Sequence, residues 1–286
     1  MIALQILING VLLGGTYVLM AQSLNLIFGV MRVVNLAHGS FIVMAGLFTF
    51  WAANHLGLSP LISLPTVFVA GFFIGGVLQP LIIEPLMGRG RRSELLSLIV
   101  TFGLNFMLVQ IALQAFGSDY VSLPYMQATW HLGNLVFSEA LVVAGLFAGA
   151  ITALLYYGLN HTFVGKSLLA AAQSTTGALS CGINVARIRL LAFALGVALA
   201  SAAGALLIMV IPMSAESADN LTILAFVIVA LGGLGEYRGV IVAAILLGIS
   251  QSIVGYFVGG DIENVLPFVF LIAIMLFRPQ GLQRST

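Results

Sequence analysis

Nine apolar runs dominate this chain, most of them near the twenty or so residues that a helix needs to cross the hydrocarbon of a bilayer. They fall at 4–29, 33–53, 61–83, 95–116, 137–157, 189–211, 221–236, 239–258 and 264–277. A bilayer interior offers no water to backbone N–H and C=O groups, so only helices and closed barrels are stable there. The two-residue alternation of a barrel strand is absent, and the runs therefore predict helices. Charged residues make up 7% of the chain and apolar residues 61%, against roughly 25% charged in a soluble domain. Ten Lys and Arg with nine Asp and Glu cannot cover a water-soluble surface of this size. The expected fold is an all-α polytopic bundle of about nine transmembrane helices, with eight to ten compatible. That range comes from 221–236, which is short and ends in Gly232-Gly233-Leu234-Gly235, as a tilted or re-entrant helix would.

No stretch is long and polar enough for a separate soluble domain, so residues 1–286 are expected to form one transmembrane domain. The first run lacks a basic segment before it and is too long for a cleaved signal, so it reads as a permanent span. A net charge of +1 excludes a nucleic-acid partner bound by phosphate neutralisation. A lone cysteine, Cys181, excludes an internal disulfide and a Cys-rich metal site.

Orientation follows from arithmetic, because basic residues collect on the cytoplasmic side. With nine crossings and the C-terminus inside, the inner loops hold Arg32, Arg89, Arg91, Arg92, Lys166, Arg187, Arg189, Arg238, Arg278 and Arg284. These are all ten basic residues. The outer loops hold none, but carry Asp119, Glu139, Glu216, Asp219, Asp261 and Glu263. A different span count scrambles this partition. The N-terminus is therefore expected outside and the C-terminus inside.

The longest inner loop runs from about 159 to 188. Its centre, Lys166-Ser167-Leu168-Leu169-Ala170-Ala171-Ala172-Gln173, has high helix propensity, and Gly165, Gly177 and Gly182 punctuate it. A short helix here would either rest on lipid headgroups or present an apolar ridge to another protein. Gly165-Lys166-Ser167 looks like the end of a phosphate-binding loop, but Asn160 stands where that motif needs glycine and a membrane helix precedes it instead of a strand. No nucleotide site of the chain's own is expected.

No Asp, Glu, Lys or Arg falls near a span centre in this reading, which argues against a proton-coupled carrier and a charge-ringed channel. Uncharged polarity remains. Asn9, Thr16 and Ser23 recur every seven residues on the first span, and Ser97, Thr101 and Asn105 every four on the fourth. The segment Asn35-Leu36-Ala37-His38-Gly39-Ser40 interrupts the second span near its start and predicts a broken helix. Each cluster can line a polar path or join helices by hydrogen bonds. His38 has no second His, Cys or acid nearby in sequence, so no metal site is expected. Small residues four apart, at Gly10 and Gly14, Gly71 and Gly75, Gly145 and Gly149, Ala200 and Gly204, allow close helix packing. No catalytic constellation is present at an accessible depth.

Four segments together, Asn35-Leu36-Ala37-His38-Gly39, Gly182-Ile183-Asn184, Gly232-Gly233-Leu234-Gly235 with Gly239, and Phe277-Arg278-Pro279-Gln280-Gly281-Leu282, carry a resemblance from about residue 5 to residue 283. In this order they resemble the permease subunits of branched-chain amino acid ABC importers, of the Liv H type. The resemblance implies a transport subunit, not an enzyme, that passes hydrophobic amino acids inward across the bacterial inner membrane. It also implies a second, related permease or a homodimer, two cytoplasmic ATPase subunits that hold the ATP and Mg, and a periplasmic substrate-binding protein, with membrane lipid around the bundle. No cofactor is expected on this chain. Carried over onto this chain, 165–184 looks like the segment that couples to an ATPase, with Gly165, Gly182, Ile183 and Asn184 matching the family pattern and Lys166, Leu169, Ala171 and Gly177 lying between them. Leu169 stands where the family tends to carry a basic residue, and the surroundings of Ser174 are less charged than is usual there. Asn35, His38, Ser40, Ser97, Thr101 and Asn105 are the candidate pathway residues. Two other readings stay open: a permease of the same architecture for urea or a short amide, and an ATP-independent channel or facilitator.

Overall fold

The structure, a computed structural model, describes residues 2–86, 91–126, 128–132, 135–259 and 265–277. Arg89, Asp261, Glu263, Arg278 and Arg284, with the ending after Phe277, lie outside the described residues, as do the side chains of Arg91 and Arg92. Among the described residues, eleven α-helices follow one another: α1 Ile2–Met31, α2 His38–Leu56, α3 Pro60–Leu78, α4 Arg91–Phe116, α5 Glu139–His161, α6 Phe163–Gln173, α7 Thr175–Ser180, α8 Val185–Leu207, α9 Ser217–Gly232, α10 Tyr237–Phe257 and α11 Leu266–Phe277. A π-helical turn at Gln79–Ile83 and a 3-10 turn at Glu84–Leu86 extend α3. Among the described residues, seven helices are long and apolar enough to cross a membrane: α1, α2, α3 with its extension, α4, α5, α8 and α10. The chain is a multi-pass membrane protein. Helix α9 is apolar but has only 16 residues, too few for a full crossing at 1.5 Å per residue.

One short sheet amends the all-helical expectation. Strands β1 Thr129–Leu132 and β2 Leu135–Ser138 form an antiparallel hairpin just before α5, which begins at Glu139, two residues after the sequence-based boundary. Trp130, Val136 and Phe137 supply the aromatic and β-branched character that favours strands. Gln5 of α1 holds the hairpin by donating to the Val136 carbonyl at 2.7 Å.

Two close helix seams organise the bundle. Gly10 and Gly14 of α1 lie against Ile249, Gly248 and Ile245 of α10, with backbone atoms meeting where a side chain would stand. Gly71 and Gly75 of α3 meet Ser201, Val197 and Ala194 of α8 in the same way. Both pairs run antiparallel, since rising numbers on one helix meet falling numbers on the other. Small residues permit this approach, and dispersion then acts over many atom pairs. Three of the four expected small-residue pairs find such partners: Gly145 touches Leu12 of α1, Gly204 meets Ile42 of α2, and only Gly149 faces open space. Helix α8 is the centre of the molecule, with 83% of its apolar window buried. Its Ala- and Gly-rich sequence from Ala192 to Ala205 lets α1, α2 and α3 all pack against it.

The loop ends on one side of the bundle also meet. Arg189 pairs with Glu84 at 2.5 Å, and Arg238 donates to the Tyr156 hydroxyl at 3.1 Å. Residues that the charge pattern assigns to one membrane face are thus neighbours in space.

Candidate functional site

The polar interruption near the second span is resolved as a buried connection rather than a kink within a helix. Helix α1 stops where Arg32 adopts a left-handed φ of 53°, a conformation that ends helical hydrogen bonding. Asn35 then accepts the Ala37 amide on its side-chain oxygen at 3.1 Å, a local turn characteristic of Asn. Helix α2 starts at His38, five residues later than the apolar run alone suggests.

Asn35 bonds within the connection, and the other polar groups of this segment find partners on other helices. Thr101 on α4 accepts the Leu36 amide and donates to carbonyls, with Ser97 at 2.8 Å the nearest. The Gly39 amide donates to Thr222 of α9 at 2.8 Å. Gly39 is required there, because a Cβ would collide with the Ala218 carbonyl. His38 is fully buried, its Nε2 lying 3.1 Å from both the Met20 carbonyl and Ser23 Oγ of α1. Ser40 donates to Asn105 Oδ1, and Asn105 Nδ2 donates to Asp219 Oδ1 at 2.9 Å. Asn35 Nδ2 and His38 Nδ1 are buried with no partner among the described residues.

Asn35, His38, Ser40, Ser97, Thr101 and Asn105 are therefore all brought to one place, and all are buried. They tie α1, α2, α4 and α9 together. The face of Asn9, Thr16 and Ser23 does not act as a unit. Thr16 and Ser23 donate to carbonyls of their own helix, and only Ser23 reaches this cluster.

Sequence reasoning missed Thr222 and Asp219, and it misplaced Asp219 in an outer loop. The structure puts this carboxylate in the first turn of α9, against Asn105. Asn105 is ten residues from one end of the Leu95–Phe116 span and eleven from the other, so the side chain that holds Asp219 sits about 15 Å along the helix from either end of that span. The expectation that no charge falls near a span centre is corrected here. The physical reason is that α9 begins level with the middle of α4 instead of level with its ends. A polar run, Ser214 to Asp219, ahead of an apolar stretch too short to cross was the available signal.

The long loop after α5 folds as two short helices, each started by a hydroxyl side chain. Thr162 accepts the Gly165 amide and Ser174 the Gly177 amide, both at 3.0 Å, and Asn184 then accepts the Arg187 amide at 3.1 Å to start α8. Gly182, at φ 76°, reverses the chain after α7, and the Ile183 amide donates to the Ala178 carbonyl. The apolar ridge of α6 faces inward: Leu168 and Ala171 are buried, Leu169 is half-buried, and Gly165 presses on the backbone of Gly158 and Leu159. Lys166, Gly177, Gly182 and Asn184 are exposed, as is Leu179. The free surface of this segment is thus α7 with its flanks, together with Phe163 and Val164 at the start of α6, which are exposed.

A family model described as "Branched-chain amino acid transport system / permease component" matches residues 6–275. The high-affinity branched-chain amino acid transport system permease protein BraD of Pseudomonas aeruginosa is 28% identical, over 98% of this chain and 95% of its own length. The corresponding LivH protein of Escherichia coli K12 is 27% identical, over 98% and 94%. The permease protein LivM of the same organism is 26% identical, over 94% of this chain and 68% of its own length. Among solved structures, PsaBC from Streptococcus pneumoniae in complex with Fab superposes with a TM-score of 0.52 at 14% identity, covering 95% of this chain and 91% of that one. At that identity the likeness is one of fold.

Proposed function

Because the chain belongs to the family of branched-chain amino acid transport system permease components, we propose that it is the membrane-spanning subunit of a binding-protein-dependent ABC importer moving hydrophobic amino acids inward. The observation that carries this reading is the match along nearly the whole chain, on a bundle whose interior polarity is almost entirely uncharged. ATP and Mg would sit on two separate ATPase subunits, docked on the cytoplasmic face at α6 and α7. The three capped helix starts and the exposed face of α7 suit a rigid, protein-facing element. A second permease would complete the pathway, and the presence of both LivH-like and LivM-like relatives favours a related partner over an identical copy. A periplasmic binding protein would deliver the cargo, in a bacterial inner membrane with the N-terminus outside.

The cluster around Asn35, His38, Ser40, Ser97, Thr101 and Asn105 would form the wall of the pathway. Its members hold the helices, and Asn105 joins them to the exposed Asp219. A substrate-delivering importer does not require tight binding midway, since a cargo held strongly would leave slowly. The test is uptake of radiolabelled leucine, isoleucine and valine into proteoliposomes holding both permeases and the ATPases, with loaded binding protein supplied. ATP-dependent uptake of these amino acids is expected. Transport of urea in their place, or uptake that needs no ATP, would replace this reading with one of its two rivals.

A further inference from the structure

Resting on the reading that the cargo is a hydrophobic amino acid, we propose that Asp219 is the pathway group that receives the substrate's ammonium. The carboxylate lies at the level of the centre of α4, fixed there by the 2.9 Å bond from Asn105. A second measure gives the same depth. Ala218, its neighbour, abuts Gly39, and His38 beside Gly39 bonds to Met20, close to the middle of the 30-residue α1. Yet the Asp219 side chain is exposed on the surface of this subunit. A charge at that depth is costly against lipid, so the side on which it opens is a protein interface or a water-filled path.

Among the described residues Asp219 has no Lys or Arg partner, the ion pair there being that of Glu84 with Arg189. Asn105 is itself held by Ser40, so the carboxylate is aimed by two successive side-chain bonds. One of its oxygens accepts from Asn105, which leaves the second for an incoming donor. An ionised carboxylate accepts hydrogen bonds and donates none, so it selects a cationic or strongly donating group. A branched-chain amino acid is a zwitterion whose ammonium fits that requirement, while its side chain meets apolar walls. The fixed charge thereby becomes a discriminator for amino acids over neutral amides and carboxylic acids of similar bulk.

The complete transporter, with ATPases, second permease and binding protein, provides the test. D219N keeps the size and the hydrogen bond to Asn105 but removes the charge. Leucine uptake should fall at least about tenfold, the scale of one lost charge-assisted contact, in a complex that co-purifies with its ATPases at wild-type levels. D219E should recover most of the uptake. In a Cys181→Ser background, an Asp219→Cys thiol should react with a membrane-impermeant cationic thiol reagent. Wild-type uptake in D219N, or a thiol reached only by lipid-soluble reagents, overturns the proposal. Should D219N not assemble, the labelling result decides alone. A wild-type complex that moves no leucine would instead sink the assignment of the cargo, leaving a reactive thiol at 219 unexplained by it.

Discussion

Asn105 meets the needs of two neighbours at once, taking the Ser40 hydroxyl on its oxygen and giving its amide hydrogen to Asp219. Asn105→Leu strands the buried Ser40 hydroxyl, which costs about 1–3 kcal/mol, and releases the carboxylate from its fixed aim. Uptake should be lost while the permease still co-purifies with its ATPases at normal levels. His38→Ala is expected to behave differently. Its ring is fully enclosed and bonded to α1, so removal leaves a cavity worth about 2–4 kcal/mol. Melting temperature in detergent and uptake should fall together. A variant with normal melting but no uptake would place His38 on the path itself. The polar residues of α2 and α4 were legible in the sequence because they interrupt apolar runs, and a buried polar group must find a partner. Asp219 and Thr222 were not, since their depth depends on where the chain re-enters the bundle.

Among the elements, α6 and α7 divide their work in a way that composition hides. A Leu/Ala-rich helix at a membrane face can turn its apolar ridge either way, and here Leu168 and Ala171 go inward. Ala171→Trp should therefore reduce folded permease, overpacking a filled site at a cost of about 1–3 kcal/mol, read as lower yield and melting temperature. Leu179, 58% exposed on α7, has no such role within the subunit. Leu179→Asp should insert and assemble normally but abolish the stimulation of ATPase activity by loaded binding protein. If stimulation survives, α7 rests on lipid instead of coupling. The glycine, Ser and Thr positions that start and stop these helices were visible in sequence, because capping chemistry is local. The facing of the helices was not, because it is decided by α1, α5 and α8 against α6, and by α6 and α8 against α7.

At the scale of the whole molecule, two antiparallel seams, α1 with α10 and α3 with α8, hold the bundle together. Their glycine spacings were readable, although the sequence alone could not pair them. Orientation can be checked with the protein's own lone thiol. Cys181 is exposed beyond α7, so an impermeant thiol reagent should spare it in intact cells and label it after permeabilisation. A Ser118→Cys substitution in a Cys181→Ser background should show the reverse. Labelling of Cys181 from outside would invert the topology.

The bond between Gly39 and Thr222 spans 183 residues of sequence, and this has a consequence for biogenesis. At roughly 5–20 residues per second, Thr222 leaves the ribosome about ten to forty seconds after Gly39. During that interval the start of α2 is already in or near the membrane, and its backbone amide still lacks the partner it will keep. The nascent permease must then be sheltered by the insertion machinery or by water until α9 arrives. Chains interrupted before residue 217 would hold this connection unsealed, which marks them for quality control ahead of any chain that merely lacks its last helix.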